Sequence, residues 1–303
     1  MLIFRNAQYI HEYYYKGIPL EQKMIKKICL ITGGTSGVGY ATALGLARLG
    51  ATVLIISRTE KNGSDTVQQL ITQSNNKKID FLIADLSEPD SIRDMVRTFK
   101  SRYNSLHVLS NNAACLTTKR VTNSRGYELV FASNYLSHFL LTHLLIDVLK
   151  KSAPSRILTV SGNVGLVKYG KIYFDDIHLE HSFNPLKATL QATFAKVLFS
   201  LELAKRIDGS GVTSNTFHPG FVRSRLGRNL PFPINLFVSM GMKVLPSKCA
   251  SSVFLASDDS VEKLNGIFYE NGTYHTFKSE HFTKDSVSRL WMLSTTLCDI
   301  TDN

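Results

Sequence analysis

The 303-residue chain is 44% hydrophobic and 19% charged, a globular composition with enough apolar material for one large domain or two small ones. Thirty-five Lys and Arg against 24 Asp and Glu leave a net charge of +11, which suits an anionic ligand or an anionic lipid surface. The basic pairs (Lys26 and Lys27, Lys77 and Lys78, Lys150 and Lys151) are scattered, which argues against nucleic acid as a partner. The four cysteines, Cys29, Cys115, Cys249 and Cys298, form neither a CxxC pair nor a disulfide-like ladder; they read as small buried side chains in a reducing compartment, and no metal site is expected.

Residues 1–24 read as an N-terminal extension. It has apolar and aromatic residues but lacks the continuous apolar stretch of a signal peptide, and stays open to packing on the body or a partner, or to touching a membrane as an amphipathic arm. From about residue 26, strand and helix patterns alternate. KKICLIT precedes a helix to Leu49, ATVLIIS one to about Gln73, and IDFLIAD one to Tyr103. LHVLSNN leads into a long helix ending near Leu149; RILTVSG precedes the helix containing KATLQATFAKVLF, and GVTSNTFHPG follows it. Near-continuous apolar strands separated by helices predict an α/β fold of Rossmann type: a doubly wound parallel sheet covered on both faces, as a single domain over residues 25–303. No run of about 18 apolar residues marks a membrane span.

The first strand runs into TGGTSGVG, where Thr32, Gly33, Gly37 and Gly39 set a T-G-x-x-x-G-x-G spacing around Thr35, Ser36 and Val38. Glycines let backbone turn sharply and approach a pyrophosphate, whose charge the amides at the following helix N-terminus can hold. With a strand before and a helix after, this is the context dinucleotide binding needs. The second strand ends at Ser57 and Arg58, where an NAD-preferring protein places an acid for the ribose hydroxyls. Arginine favours a 2′-phosphate instead, so NADP(H) is expected ahead of NAD(H). Asp85 and Leu86, closing the third strand, are placed to hold the adenine edge.

Further pieces arrive in order: SNNAACL (110–116), NYLSHFLLTHLL (134–145), RILTVSG (156–162), GKIYFDDIHLE (170–180), VLFSLELAKRI (197–207) and HPGFVRSRL (218–226). Together with TGGTSGVG these resemble the short-chain dehydrogenase/reductase family, most closely its retinol-dehydrogenase-like branch. The resemblance covers nearly everything from about residue 26 to the C-terminus, with GIFYENG (266–272) as a last strand. It implies that Asn112, Ala113 and Ala114 form the turn beside the adenosine ribose, Ala114 replacing the family's glycine. It also implies that Asn134 supports a proton-relay water and that Pro219, Gly220, Val222 and Ser224 position the nicotinamide.

Laid without a gap on the family pattern KAYGQSKLANVLF, the stretch KATLQATFAKVLF puts Thr189 at the catalytic tyrosine and Thr193 at the catalytic lysine. Gly162 falls at the catalytic serine, and Asn134 alone of the four is retained. In the family mechanism a phenol exchanges a proton with the substrate oxygen as hydride moves, its pKa near 10 lowered by a lysine one helical turn away. Threonine is far less acidic and shorter, and Thr193 offers the nicotinamide ribose one neutral hydrogen bond where the family offers an ammonium. Lys196, three residues further on, shares the polar stripe of Thr189, Thr193 and Ser200. It reads first as a solvated lysine; the sharper alternative is a displaced acid, since a desolvated lysine titrates nearer neutrality. Ser161 is expected to face away by strand alternation, and Tyr169, Tyr173 and His178 to be loop packing rather than a cover for the site.

Between Arg228 and Ser247 the chain reads NLPFPINLFVSMGMKVLP. Its position matches the family's substrate-covering segment, and its bulk suits an apolar, lipid-like alcohol or carbonyl; a partner interface or a peripheral membrane contact are equal readings. The leading expectation is an NADP(H)-binding protein that has lost the usual acid-base machinery and acts as a sensor or scaffold. The alternative is a working oxidoreductase on an apolar alcohol or carbonyl with an atypical proton donor; a structural partner needing no nucleotide comes third. The expected location is cytoplasmic or peripheral on an intracellular membrane, and a homo-oligomer is compatible with either reading.

Overall fold

The computed structural model describes residues 23–220, 222 and 249–300. The N-terminal extension up to residue 22, Ser224 and the apolar segment between Arg228 and Ser247 lie outside the described residues. The strands are β1 (Ile28–Ile31), β2 (Thr52–Ser57), β3 (Ile79–Ile83), β4 (Val108–Asn111), β5 (Ser155–Val160), β6 (Val212–Phe217), β7 (Phe268–Glu270) and β8 (Thr273–His275). The helices are α1 (Gly37–Arg48), α2 (Glu60–Ser74), α3 (Pro89–Arg102), α4 (Leu129–Lys151), α5 (Val164–Val167), α6 (Pro185–Arg206), α7 (Ala250–Ser257) and α8 (Lys284–Leu297).

The strands form one sheet in the order β3-β2-β1-β4-β5-β6-β7-β8. All neighbours are parallel except β7 and β8, which form a hairpin with Tyr269 opposite Tyr274. GIFYENG is therefore not the last strand: the chain turns at Asn271 and Gly272, both at positive φ, and adds a short antiparallel edge. β1 and β2 are buried on both faces, which is why they read as unbroken apolar runs. One face packs Leu30, Leu54, Leu109 and Ile157 under α3, α4, α6 and α8; the other packs Cys29, Ile31, Val53 and Leu158 under α1, α2 and α7. Cys29, Cys249 and Cys298 are buried, Cys115 partly so, and none of the four is in a disulfide.

Small residues let α1 lie close to its neighbours, and Thr42 meets Ser252 on α7 at 2.7 Å. Helix α4 is long and apolar enough to cross a membrane by length and composition, yet 72% of its most apolar window is buried in the fold. It is a core helix: Phe139 packs against Phe199 of α6 at 5.2 Å and against Trp291 of α8 at 5.3 Å between ring centroids. Helix α6 starts at Asn184, whose Oδ1 accepts from the Leu186 and Lys187 amides at 2.9 and 3.1 Å, with Pro185 in the first turn. Removing this cap, as Asn184→Ala, is expected to lower stability by about 1 kcal/mol, read as a shift in the urea midpoint.

Candidate active site

Ligands of open α/β sheets bind outside the carboxyl ends of the strands, where strand order reverses, and here that point lies between β1 and β4. At the end of β1, Thr32 is fully buried, and its Oγ1 accepts from the Asn112 and Ala113 amides at 2.8 and 2.9 Å. One hydroxyl thus locks the first turn of the glycine loop to the turn after β4. Gly33 stands at φ +62°, with an added Cβ 3.0 Å from Ala113 Cα. Gly39 is tighter still: a Cβ there would lie 2.3 Å from the Gly33 carbonyl oxygen. Between them Thr35, Ser36, Gly37 and Val38 are half-buried. Ser36 begins α1 without a side-chain cap bond, and the first turn carries no acid, so its amides stay available to an anion.

Arg58 is exposed just past β2. Asp85 is exposed after β3, where Oδ1 accepts from the amide and hydroxyl of Ser87 at 2.9 and 2.7 Å, and Leu86 packs on the core. The Asn112 side chain donates to Ser110, while its Oδ1 is buried with no partner among the described residues. A cradle that a methyl group would fill, uncapped amides and an orphaned acceptor are what a dinucleotide requires, so these residues fit the cofactor expected from the sequence.

Asn134 sits in a π-helical turn, Ala132–Leu136, within α4. Its Oδ1 accepts from the Cys115 amide at 2.7 Å and its Nδ2 donates to the Cys115 carbonyl at 3.0 Å, fixing the loop after β4 that carries Ala114. π-Turns mark functional positions in helices because they free backbone groups. Burial pushes the Cys115 thiol up to about 11, which removes it as a thiolate nucleophile.

Gly162 and Thr193 do come together: a Cβ on Gly162 would lie 3.5 Å from Thr193 Cγ2. Thr189 precedes Thr193 by one turn of α6, and both hydroxyls are committed to their own helix. Thr189 Oγ1 donates to the Pro185 carbonyl at 2.8 Å and Thr193 Oγ1 to the Thr189 carbonyl at 2.7 Å. Lys196 departs from its expected place. It is not solvated but 4% exposed, and burial pulls its ammonium down to about 8. The stripe turns inward at this point, since Ser200, one turn later, is fully buried and meets Ser214 of β6 at 3.0 Å.

Ser161 is buried, with no partner for its hydroxyl among the described residues. Tyr169 is 67% exposed, with the Lys168 ammonium 4.9 Å from its ring. Tyr173 lies under the Lys187 ammonium at 3.9 Å, and His178 stacks on Tyr127 at 4.8 Å; both are packing residues, as expected. Pro219 and Gly220 follow β6, and Val222 is buried at 6%.

Two features of this edge were not anticipated from the sequence. Glu270, buried at the end of β7, accepts from Asn163 Nδ2 at 2.6 Å and lies 3.8 Å from His218 Nε2, tying the turn after Gly162 to the residue before Pro219. His138 is fully buried on α4; burial, and then the charge of Lys196, hold its imidazole well below its usual pKa. A glutamate in FYE and a histidine in SHFLL carry no periodic signal that would have singled them out.

Glycine loop, switch point and strand order together define a dinucleotide-binding protein of the doubly wound α/β class. The short chain dehydrogenase model matches residues 27–173. Human retinol dehydrogenase 14 is 34% identical over 287 residues, covering 88% of this chain and 85% of that one. Mouse retinol dehydrogenase 12 is 32% identical over 303 residues, covering 99% and 95%. The chain therefore belongs to the short-chain dehydrogenase family of oxidoreductases, in its retinol-dehydrogenase-like branch. Among solved structures, an uncharacterized protein from Mycobacterium Paratuberculosis superposes with a TM-score of 0.71 at 24% identity, covering 91% of this chain and 94% of that one. The Pseudomonas aeruginosa RhlG/NADP complex gives a TM-score of 0.64 at 23% identity, covering 83% and 97%.

Proposed function

We propose that this chain binds NADP(H) and is severely impaired in hydride-transfer chemistry, serving as a cofactor-dependent sensor or scaffold. One observation carries the reading. At the positions aligned with the family's tyrosine and lysine stand two threonine hydroxyls, each donating to its own helix, with a glycine at the serine position. General acid-base catalysis is worth about 10² to 10⁴ in rate, and no free acidic proton stands at these positions to supply it. The dinucleotide, when bound, supplies the hydride; the chain holds its phosphates on the α1 amides and its ribose beside Asn112 and Ala113. Titration with NADPH, followed by cofactor fluorescence, and an assay against a panel of aldehydes and ketones test this: binding with negligible turnover is expected. Brisk turnover would favour the second reading, supported by relatives named retinol dehydrogenases: an oxidoreductase on an apolar, lipid-like alcohol or carbonyl.

Preference for the phosphorylated cofactor rests on Arg58, exposed where an acid would select NAD(H). Losing a charge-assisted bond costs about 1.5–3 kcal/mol, so Arg58→Ala is expected to weaken NADPH binding by about 10- to 100-fold with little change for NADH. Equal losses for both cofactors would assign Arg58 no part in that choice.

A further inference from the structure

Lys196 is buried over a polar patch of sheet. Asn111 on β4 pairs in register with Thr159 on β5, and Thr159 with Thr216 on β6, so three polar side chains form one row across adjacent parallel strands. Asn111 Nδ2 donates to Thr142 of α4 at 3.3 Å, and Ser214, two residues before Thr216, meets Ser200 of α6. The row therefore lies on the face covered by α4 and α6. His138 precedes Thr142 by one turn and Lys196 precedes Ser200 by one turn, which aims both at this row, and the two interact electrostatically.

Among the described residues, Asn111 Oδ1, Thr159 Oγ1, Thr216 Oγ1 and both His138 ring nitrogens are buried without a hydrogen-bond partner. Lys196 is 4% exposed, and burial lowers its pKa with no ion pair to offset it. The Ala113 carbonyl lies beside the His138 ring without reaching full hydrogen-bond geometry, so this polar cluster underlies the turn that Thr32 locks to the glycine loop. Buried and half-buried ionisable groups on elements packed against α6 meet other partners: His143 Nδ1 lies 2.9 Å from the Phe139 carbonyl, and Arg156 donates to the Leu255 carbonyl at 3.0 Å. Glu128 accepts from the Val130 and Phe131 amides, Tyr135 is bonded to Ser294, and Asp285 pairs with Arg289 at the surface.

A buried ammonium without a partner is costly, and an anion bound above it offsets that cost. We propose that Lys196 is the buried cation of the dinucleotide site, taking up a proton when the anionic cofactor binds over the Asn112–Ala113 turn. This rests on the cofactor reading above. Its sign follows from linkage. Free Lys196 loses its proton from about pH 8 upward, and an anion overhead raises that value, so above pH 8 the complex keeps a proton that the free protein has shed. NADPH affinity then falls as pH rises, by at most about tenfold per pH unit. Stability of the free protein runs the other way. An unfolded lysine titrates near 10.4, so between pH 8 and about 10 the unfolded chain binds more protons and the folded one gains stability with pH.

The test is calorimetric titration of the whole chain with NADPH at about pH 8.5 in buffers of different ionisation enthalpy, which counts protons taken up. Uptake of at least about 0.3 proton is expected, with affinity at least about fivefold weaker at pH 9.5 than at pH 7.5, and both effects absent in Lys196→Met. Binding without proton uptake, or uptake that persists in Lys196→Met, would overturn the assignment while leaving the cofactor reading intact. No binding at any pH would overturn both. If Lys196→Met does not fold, the uptake count on the unmodified chain still decides.

Discussion

Replacing three side chains at once, Gly162→Ser with Thr189→Tyr and Thr193→Lys, is expected to raise NADPH-dependent carbonyl reduction at least about tenfold, a floor set below the roughly 10² to 10⁴ that a fully positioned general acid supplies. Gly162 and Thr193 already face each other, and a Cβ at Gly162 meets Thr193 Cγ2 at an ordinary 3.5 Å and Val167 Cγ2 at a tight 3.2 Å. Lysine at 193 removes the β-branch on that side, so accommodation falls on a movable valine methyl. Thr189 is half-buried on the first turns of α6, where a phenol would extend well beyond the present hydroxyl. Electrostatics supply a second arm. A lysine at 193 stands one turn from the buried Lys196, and each charge disfavours the other. Adding Lys196→Asn, the residue of the family pattern, is expected to raise the rate further by keeping the new ammonium charged beside the phenol. Initial rates of NADPH oxidation with an apolar aldehyde measure both steps. An unchanged rate in a folded, NADPH-binding triple variant would contradict the ungapped placement of Thr189 and Thr193.

The parallel sheet was legible because strands such as β1 and β2 are buried on two faces and so appear as runs of apolar residues, and the glycine loop because its spacing lies between a strand and a helix. Lys196 was not. The stripe Thr189, Thr193, Lys196, Ser200 has the right period for one helix face, but periodicity does not say what covers that face. Here the covering strands contribute Thr159, Ser214 and Thr216, so a polar face meets a polar sheet and hydropathy gives no contrast. β8 was missed for a different reason: three residues, TYH, are too few to show alternation. Glu270 reads as an edge-strand surface acid until Asn163 and His218 are seen around it, and those partners come from distant parts of the chain.

The glycine loop makes the other large prediction, through Gly39. An added methyl there would stand 2.3 Å from the Gly33 oxygen, 2.6 Å from the Gly33 carbonyl carbon and 2.9 Å from the Thr32 oxygen. All three are backbone atoms, so no side chain can rotate away and the turn itself must open. Overpacking of this kind costs about 1–3 kcal/mol of stability. The consequence for binding is larger, because Thr32 also carries the hydroxyl that the Asn112 and Ala113 amides hold. Moving the loop displaces two walls of the proposed site together: the α1 amides that would face the phosphates and the turn that would lie beside the ribose. Gly39→Ala is therefore expected to lower the urea midpoint and to weaken NADPH binding at least about 100-fold, about 2.8 kcal/mol, in protein whose circular dichroism is that of the unmodified chain. Affinity kept within about threefold in that folded variant would mean that dinucleotide phosphates are not held at this helix end, and the cofactor reading would have to be rebuilt around another part of the sheet edge.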